Sequence, residues 1–369
     1  TALIFDFTGD GRPDIFVAND SVENFLWQQE GAGTGGPEAG RPGSGGVRSA
    51  GVRIPHFADT SDVLGVKVGQ NLDPQAGMGA AVADVDEDGR FDLFVTNFSH
   101  DYNNLYLGQR ADGPDAPFFF RDRGLQVMGR ETFHDLSWGC GWEDFDDDGD
   151  LDLFVANGHV YAEVDLFEKT GTSYEQLNAL FEALDAPRMR FREVGTKAQV
   201  GRSAEEAARL DAGPGLGVKA CSRGAAFGDY DDDGRIDVFV QNQNAAPTLL
   251  RNVTPPGPDR RWVKLALHQE GPNREAIGAR LEIRAGARTR HRALVRTTSF
   301  LGSAPPRLHV GLGSASACDV TVRWPDGEES TFPGLGAGRS WVPDRPSGRA
   351  TPEPFPAIGR GPRGGSGAR

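Results

Sequence analysis

Short apolar and short acidic runs alternate along the first 250 or so residues in one recurring order. A small, apolar run comes first: Ala2-Leu3-Ile4-Phe5, Gly79-Ala80-Ala81-Val82-Ala83, Gly139-Cys140-Gly141-Trp142 and Gly224-Ala225-Ala226-Phe227. A nine-residue acidic stretch follows, and it leads into Asp-(Ile/Leu/Val)-Phe-Val-x-Asn, whose β-branched and aromatic residues predict a strand. A third short run is Phe25-Leu26-Trp27, Leu105-Tyr106-Leu107 or Thr248-Leu249-Leu250. A fourth opens on an aromatic beside a charge, at His56–Asp59, Phe119–Asp122 and Arg190–Glu193. The acidic stretches start at Asp6, Asp84, Asp144 and Asp229, hence 78, 60 and 85 residues apart. Four strands at such spacing predict an all-β fold of β-propeller blades over residues 1–252.

Three segments break the rhythm. Residues 28–54 are Gly-rich and read as an inserted mobile loop. Over 172–186 the spacing predicts a helix: Ser173 and Gln176 form a capping box, and Tyr174, Leu177, Leu180, Phe181 and Leu184 share one helical face. Ser203 and Glu206 predict a second, short helix, making 172–211 a helical insert over a face of the sheets. Residues 253–261 are a Pro-rich linker, and a different β pattern occupies 262–342. Its apolar runs are Trp262–Leu267, Ala279–Ala285, Arg290–Thr297, Arg307–Val310 and Val320–Trp324, with a hairpin turn at Pro325-Asp326-Gly327. That predicts a small β-sandwich or open barrel. Residues 343–369 are rich in Pro, Gly and Arg, poor in apolar residues, and read as a disordered tail.

The acidic stretches carry the chemistry. Positions 1, 3, 5 and 9 hold Asp6, Thr8, Asp10 and Asp14; Asp84, Asp86, Asp88 and Asp92; Asp144, Asp146, Asp148 and Asp152; Asp229, Asp231, Asp233 and Asp237. Position 6 is Gly in each copy, and the position 7 carbonyl of Arg12, Arg90, Asp150 or Arg235 adds an oxygen. Six or seven oxygens on a tight loop suit Ca²⁺, giving about four sites, whereas Mg²⁺ retains more of its waters. Two carboxylates about 4 Å apart repel by roughly 4 kcal/mol at an effective dielectric near 20, so such a cluster calls for a neutralising cation. An EF-hand would place Glu at position 12, but Val17, Val95, Val155 and Val240 stand there, inside strands. The loops are therefore strand-to-strand connections, and their ions are expected to be structural. Thr8 leaves the first loop a carboxylate short, which predicts the lowest affinity there.

The chain's 369 residues carry a net charge of −14 and a pI near 5.0, and no basic stripe offers a surface to nucleic acid. Four divalent ions would add +8 and bring −14 to −6. Cys140, Cys221 and Cys318 lie far apart without a CxxC pair, which argues against a zinc or dithiol redox site. There is no apolar run long enough for a transmembrane segment. The chain opens at Thr1, without Met and already inside a strand, so the natural protein is expected to begin earlier.

The repeated loops resemble those of the FG-GAP/VCBS repeat family, whose Asp-rich loops bind Ca²⁺ in integrin-type propellers. The last 80 or so residues resemble the ASPIC/UnbV domain through Asn273-Arg274-Glu275-Ala276-Ile277-Gly278-Ala279-Arg280, Leu308-His309-Val310-Gly311-Leu312-Gly313 and Val322-Arg323-Trp324-Pro325-Asp326-Gly327. Together they are similar to the cartilage acidic protein family. The resemblance implies a secreted, extracellular or periplasmic protein with a propeller of about seven blades. Four loops would then form an incomplete ring. Arg outnumbers Lys 34 to 5, as in a GC-rich genome, which points to a bacterial relative.

Catalytic signatures are scarce. The seven histidines, His56, His100, His134, His159, His268, His291 and His309, form no HExxH, and no nucleophile elbow, Walker loop or Rossmann fingerprint is present. His159 reads as a hydrogen-bonded structural residue, and Trp138 and Trp142 as blade packing. The sequence thus favours a calcium-binding extracellular scaffold for adhesion to, or binding of, a protein or glycan. The alternative is a secreted enzyme, carbohydrate-active or other, with its site at a propeller face or the domain junction.

Overall fold

The computed structural model describes residues 1–30, 55–112, 116–129, 132–196, 203, 207–208 and 211–353. Its first unit is an antiparallel sheet of β1 (Ala2–Phe5), β2 (Asp14–Val17), β3 (Phe25–Glu30) and β4 (His56–Asp59). The second comprises β5 (Gly77–Ala83), β6 (Asp92–Asn97), β7 (Asn104–Arg110) and β8 (Phe118–Asp122), trailed by the short helix α1 (Gly124–Met128). In the third, β9 (Ser137–Glu143) and β10 (Asp152–Asn157) are followed by β11 (Gln176–Leu177), β12 (Ala179–Asp185) and β13 (Arg190–Val194). The sheet order there is β9-β10-β12-β13, while β11 pairs with β14 (Lys219–Ala220). The fourth unit has three described strands, β15 (Ser222–Gly228), β16 (Asp237–Asn242) and β17 (Thr248–Leu250).

The second strand of each unit explains how the units stack. Leu93 and Val95 of β6 pack toward the first unit, while Phe94 packs toward the third. Leu153 and Val155 of β10 pack toward the second unit and Phe154 toward the fourth. Strands buried on both faces read as continuous apolar runs, which is why Phe-Val recurs. Among the described residues the outer faces of the stack are partly exposed, Ile4 by 54% at one end and Phe239 by 47% at the other. The first strands are small-residue strands because they converge. A Cβ on Gly79 would lie 2.0 Å from the Trp138 carbonyl oxygen, and one on Gly139 would lie 2.5 Å from the Ala225 nitrogen. The result is a propeller-like array of blades.

The C-terminal domain is a sandwich of two four-stranded sheets. Its strands are β18 (Arg261–Leu265), β19 (Arg280–Ala285), β20 (Arg288–Ala293), β21 (Thr297–Thr298), β22 (Gly302–Ser303), β23 (Leu308–Gly313), β24 (Ala317–Arg323), β25 (Glu329–Gly336), β26 (Arg339–Asp344) and β27 (Arg349–Pro352). The sheets run β23-β18-β26-β27 and β20-β19-β24-β25 around Val263, Leu281, Ile283, Val320, Trp324 and Phe332. The small hairpin of β21 and β22 leaves the sandwich and lies along the converging strands of the array. Ser299 at its tip exchanges backbone hydrogen bonds with Ala80, and its hydroxyl accepts from the Cys140 and Ala225 amides at 3.2 and 3.4 Å. Ile4 donates to Thr297 Oγ1 at 3.2 Å, and Phe300 packs edge-on against Trp138. One hairpin thus touches all four units.

One expected helix and several expected boundaries change. Within 172–186, Gln176–Leu177 and Ala179–Asp185 are strand and not helix: Gln176 is taken up by the Leu136 amide and Thr172, so no capping box forms. Ala179, Phe181 and Ala183 alternate inward because β10 needs a third strand beside it. The second helix of the 172–211 insert falls largely outside the described residues; Ala207 and Ala208 are helical. Of the 28–54 insert, Gln28, Gln29 and Glu30 continue β3 against β4, and 31–54 lie outside the described residues. The expected tail from 343 begins as ordered sheet, since β26 and β27 pair through Pro352, while 354–369 lie outside the described residues. The 253–261 linker gives way to β18 at Arg261, which pairs with Gly313.

Ser299→Ala removes the acceptor for two buried amides. It is expected to lower the unfolding free energy by about 2 kcal/mol in urea denaturation. An unchanged midpoint would show that the hairpin does not hold the units together in this way.

Candidate metal centres at the unit loops

All four acidic loops adopt one backbone path. Position 4 (Gly9, Glu87, Asp147, Asp232) and position 6 (Gly11, Gly89, Gly149, Gly234) both have positive φ. Glycine at position 6 meets that demand without a Cβ penalty, and Asp tolerates it better than most residues at position 4. Position 1 organises the turn: Asp6, Asp84, Asp144 and Asp229 each accept the position 6 amide, at 2.9, 3.0, 2.8 and 2.6 Å.

Position 9 brackets the blade. One oxygen of Asp14, Asp92, Asp152 and Asp237 accepts the amide at position 2, from Phe7, Val85, Phe145 and Tyr230. The other accepts an amide from the far side of the unit, Gln29, Gly108, Ala183 or Asn252, at 2.7–3.0 Å. Sequence spacing read this residue only as a candidate ligand and missed its bracing role. It also missed the side chain at position 7. Arg12, Arg90 and Arg235 each clamp the position 5 carboxylate, Asp10, Asp88 or Asp233, and donate Nε to a carbonyl of the neighbouring strand at 2.9 Å. The third loop has Asp150 there, and Arg288 of β20 supplies the cation.

Carboxylate oxygens of positions 1, 3 and 9 therefore converge. In Asp84/Asp86/Asp92, Asp144/Asp146/Asp152 and Asp229/Asp231/Asp237 they lie within 4.8 Å of one another. Position 5 stands outside that group, held by its arginine or, for Asp148, by the Asp150 amide at 2.8 Å. The first loop, with Thr8, does not form such a carboxylate trio among the described residues. Three loop oxygens are buried without a hydrogen-bond partner among the described residues: Thr8 Oγ1, Asp144 Oδ1 and Asp231 Oδ1. Orphaned acceptors of this kind, beside converged carboxylates, fit a hard cation. Burial first, then mutual repulsion, pushes Asp86 up to about 6; burial likewise raises Asp14 and Asp148 to about 6. Asp92, Asp144 and Asp152 rise well above the ordinary carboxylate range for the same leading reason.

The loops do not face solvent freely, because the C-terminal domain covers them. Arg280 reaches Asp6 at 3.2 Å, His291 reaches Asp84 at 3.0 Å, and Lys264 pairs with Asp229. On the third loop Arg290 donates to the Gly149 carbonyl at 2.7 Å, and His309 meets Asp147 at 2.6 Å. A Cβ on Gly311 would collide with the Asp144 carboxylate, so that glycine lets β23 lie against the loop.

At the opposite end, His159 lies 3.4 Å from Ser99 Oγ. Its Nδ1 accepts the Tyr161 amide at 3.1 Å, so Nε2 carries the proton and is unable to take one from Ser99. Trp138 and Trp142 are buried, against Phe300 and against Phe94 and Phe191 respectively. Cys140, Cys221 and Cys318 are buried free thiols. Among the described residues no helix is long and apolar enough to cross a membrane.

Residues 269–349 match the protein family described as ASPIC and UnbV. Cartilage acidic protein 1 of Mus musculus is 27% identical over 332 residues, covering 85% of this chain and 40% of its own length. The proteins of the same name from Xenopus tropicalis and Homo sapiens are each 25% identical over 317 residues, again covering 85% of this chain. The chain thus spans about two fifths of the length of the curated relatives it matches.

The raised carboxyls set the pH response of the ion-free protein. Their folded pKa values near 6 exceed the unfolded value near 3.8, so the folded state binds more protons in between. Stability then falls as pH rises from about 4 to about 6. In chelator, thermal melting is expected at a higher temperature at pH 5 than at pH 7; the opposite order would contradict the buried, mutually repelling carboxylates.

Proposed function

We propose that this chain is a calcium-stabilised extracellular recognition scaffold, built on FG-GAP/VCBS-type repeats, that binds a protein or glycan partner. The observation that carries the reading is the convergence of carboxylates from positions 1, 3 and 9 in three loops, the last of which also braces its blade. In this reading Asp84, Asp86 and Asp92, with their counterparts in the third and fourth loops, hold the ion, and the position 7 carbonyl and water complete the oxygen shell. The first loop binds most weakly, since Thr8 offers a hydroxyl in place of a carboxylate. The cation supplies charge neutralisation where two strands of a blade meet, so its binding energy is folding energy.

The recognition surface belongs at the end away from the loops. Strand β10 runs from Asp152 at its loop to Asn157, so the turn that follows lies at the far end. There Tyr161, Leu166 and Phe167 are exposed, in a turn on which a partner can seat apolar groups. The similarity to cartilage acidic protein 1 supports an extracellular setting.

Calorimetric titration with Ca²⁺ is expected to give about four sites, with one clearly weaker. Asp86→Asn and Asp146→Asn are each expected to remove one of the stronger sites. At free calcium about 100-fold above Kd, each filled site adds about 2.7 kcal/mol of stability. A melting midpoint indifferent to excess chelator would sink the calcium reading. A Leu166→Ser/Phe167→Ser variant tests the surface: it should keep the calcium sites and lose capture of an extracellular partner in a binding screen.

A further inference from the structure

The outer strands of the first three units carry one phrase in one register: Phe57-Ala58-Asp59, Phe120-Arg121-Asp122 and Phe191-Arg192-Glu193. In each, the acid lies opposite Trp27, Tyr106 or Phe181 of the neighbouring strand. Those three pair in turn with Ile15, Leu93 and Leu153, the residues just after position 9. In the fourth unit Leu250 holds the corresponding place, paired with Val238, and no described strand lies beyond it.

The second unit shows how such a strand is held. Strand β8 runs between β7 and the turn that follows β4. Phe120 donates its amide to the Leu64 carbonyl at 2.7 Å, and a Cβ on Gly65 would lie 2.7 Å from the Phe120 carbonyl oxygen. Leu64, Val66, Tyr106 and Phe120 share one buried cluster. The phrase Leu-Gly-Val-Lys of that turn, Leu64–Lys67, returns before the fourth unit at Leu216–Lys219. Leu216 and Leu250 again share a cluster, but Val218 is 51% exposed where Val66 is fully buried. The backbone edge is unmet as well. In the second unit the Leu105 amide donates to Asp122 Oδ1 at 3.2 Å, and its carbonyl accepts the Arg123 amide at 2.7 Å. In the first unit Ser61 Oγ and the Thr60 amide do the same for Leu26, at 2.8 and 2.9 Å. Leu249 is their counterpart, and no described residue supplies that outward acceptor or donor. An open edge of this kind is a template for another strand.

We propose that the slot between β17 and the Leu216–Lys219 turn accepts an extended segment of a partner protein that carries Phe-x-Asp or Phe-x-Glu. The segment adds as a fourth strand, antiparallel to β17, with its acid level with Leu250 and its Phe level with Asn252. Main-chain bonds give affinity in such strand addition, and side-chain pockets give specificity. The chain's own outer strands argue for this occupant, because the same place in three units holds Phe, one residue, then an acid. The acid accepts the outward Leu249 amide, as Asp122 accepts that of Leu105, and the Phe covers Val218. This edge is separate from the exposed turn around Tyr161 and Phe167, so it stands or fails apart from that surface.

The test uses the whole chain at constant calcium. The probe is a fluorescently labelled peptide with the Arg190–Gly195 sequence, read by anisotropy. Saturable binding is expected with Kd below about 1 mM. A scrambled peptide, a peptide with Phe191→Ser, and one N-methylated at the Arg192 position should each bind more weakly by about tenfold or more. Val218→Asp alters an exposed side chain and should weaken the peptide by roughly tenfold while leaving the melting midpoint unchanged. With benzoylphenylalanine in place of the peptide's Phe, photocrosslinks are expected within 216–218 or 250–253. Five outcomes would each overturn the site: no saturable binding at millimolar peptide, equal binding of the scrambled peptide, full affinity of the N-methylated peptide or of the Val218→Asp protein, crosslinks only elsewhere, or a second copy of the chain that closes the edge and excludes the peptide.

Discussion

The structure depends on neutralising negative charge that the fold itself gathers. Fifteen aspartates stand at positions 1, 3, 5 and 9 of four loops, and the loops lie together at one end of the array, under the C-terminal domain. Burial there raises the carboxyls well before any ion is considered. Part of the charge is met by tethered cations: arginines within the loops clamp position 5, and Arg280, His291 and Lys264 reach position 1 from the C-terminal domain. The trios of positions 1, 3 and 9 are only partly met in this way, and a divalent cation could neutralise their remaining negative charge.

This arrangement makes the two domains one electrostatic unit. The sandwich is a lid whose underside is basic, and its hairpin reaches down the line of converging strands to bond Ala80, Cys140 and Ala225. A lid seated over charged loops encloses space, and an interdomain cavity is a consequence of that seating. The same cover leaves the far end, with Tyr161 and Phe167, as the open face of the array.

Much of the architecture was legible from the residues. The Phe-Val runs, the small-residue first strands and the aromatic fourth strands fall where the pattern predicts, and β6 and β10, buried on both faces, are apolar through Leu-Phe-Val for that reason. The helix over 172–186 was misread because Tyr174, Leu177, Leu180, Phe181 and Leu184 satisfy a helical spacing while Ala179, Phe181 and Ala183 satisfy a strand alternation. The unpaired edge of β10 decided between them, and an edge is not visible in local sequence.

The sequence by itself determined the loop chemistry, the repeat and the all-β class, since each rests on residue types at fixed short spacings. Only the tertiary structure decided which carboxylates converge. Position 5 is withdrawn by an arginine two residues on in three of the loops, and position 9 spends two lone pairs on amides of two separate segments. It also decided that Lys264, Arg280, His291 and Arg292, unremarkable along the chain, sit over or between the loops. Those pairings join residues more than a hundred positions apart in most cases, and only packing of one domain on the other creates them.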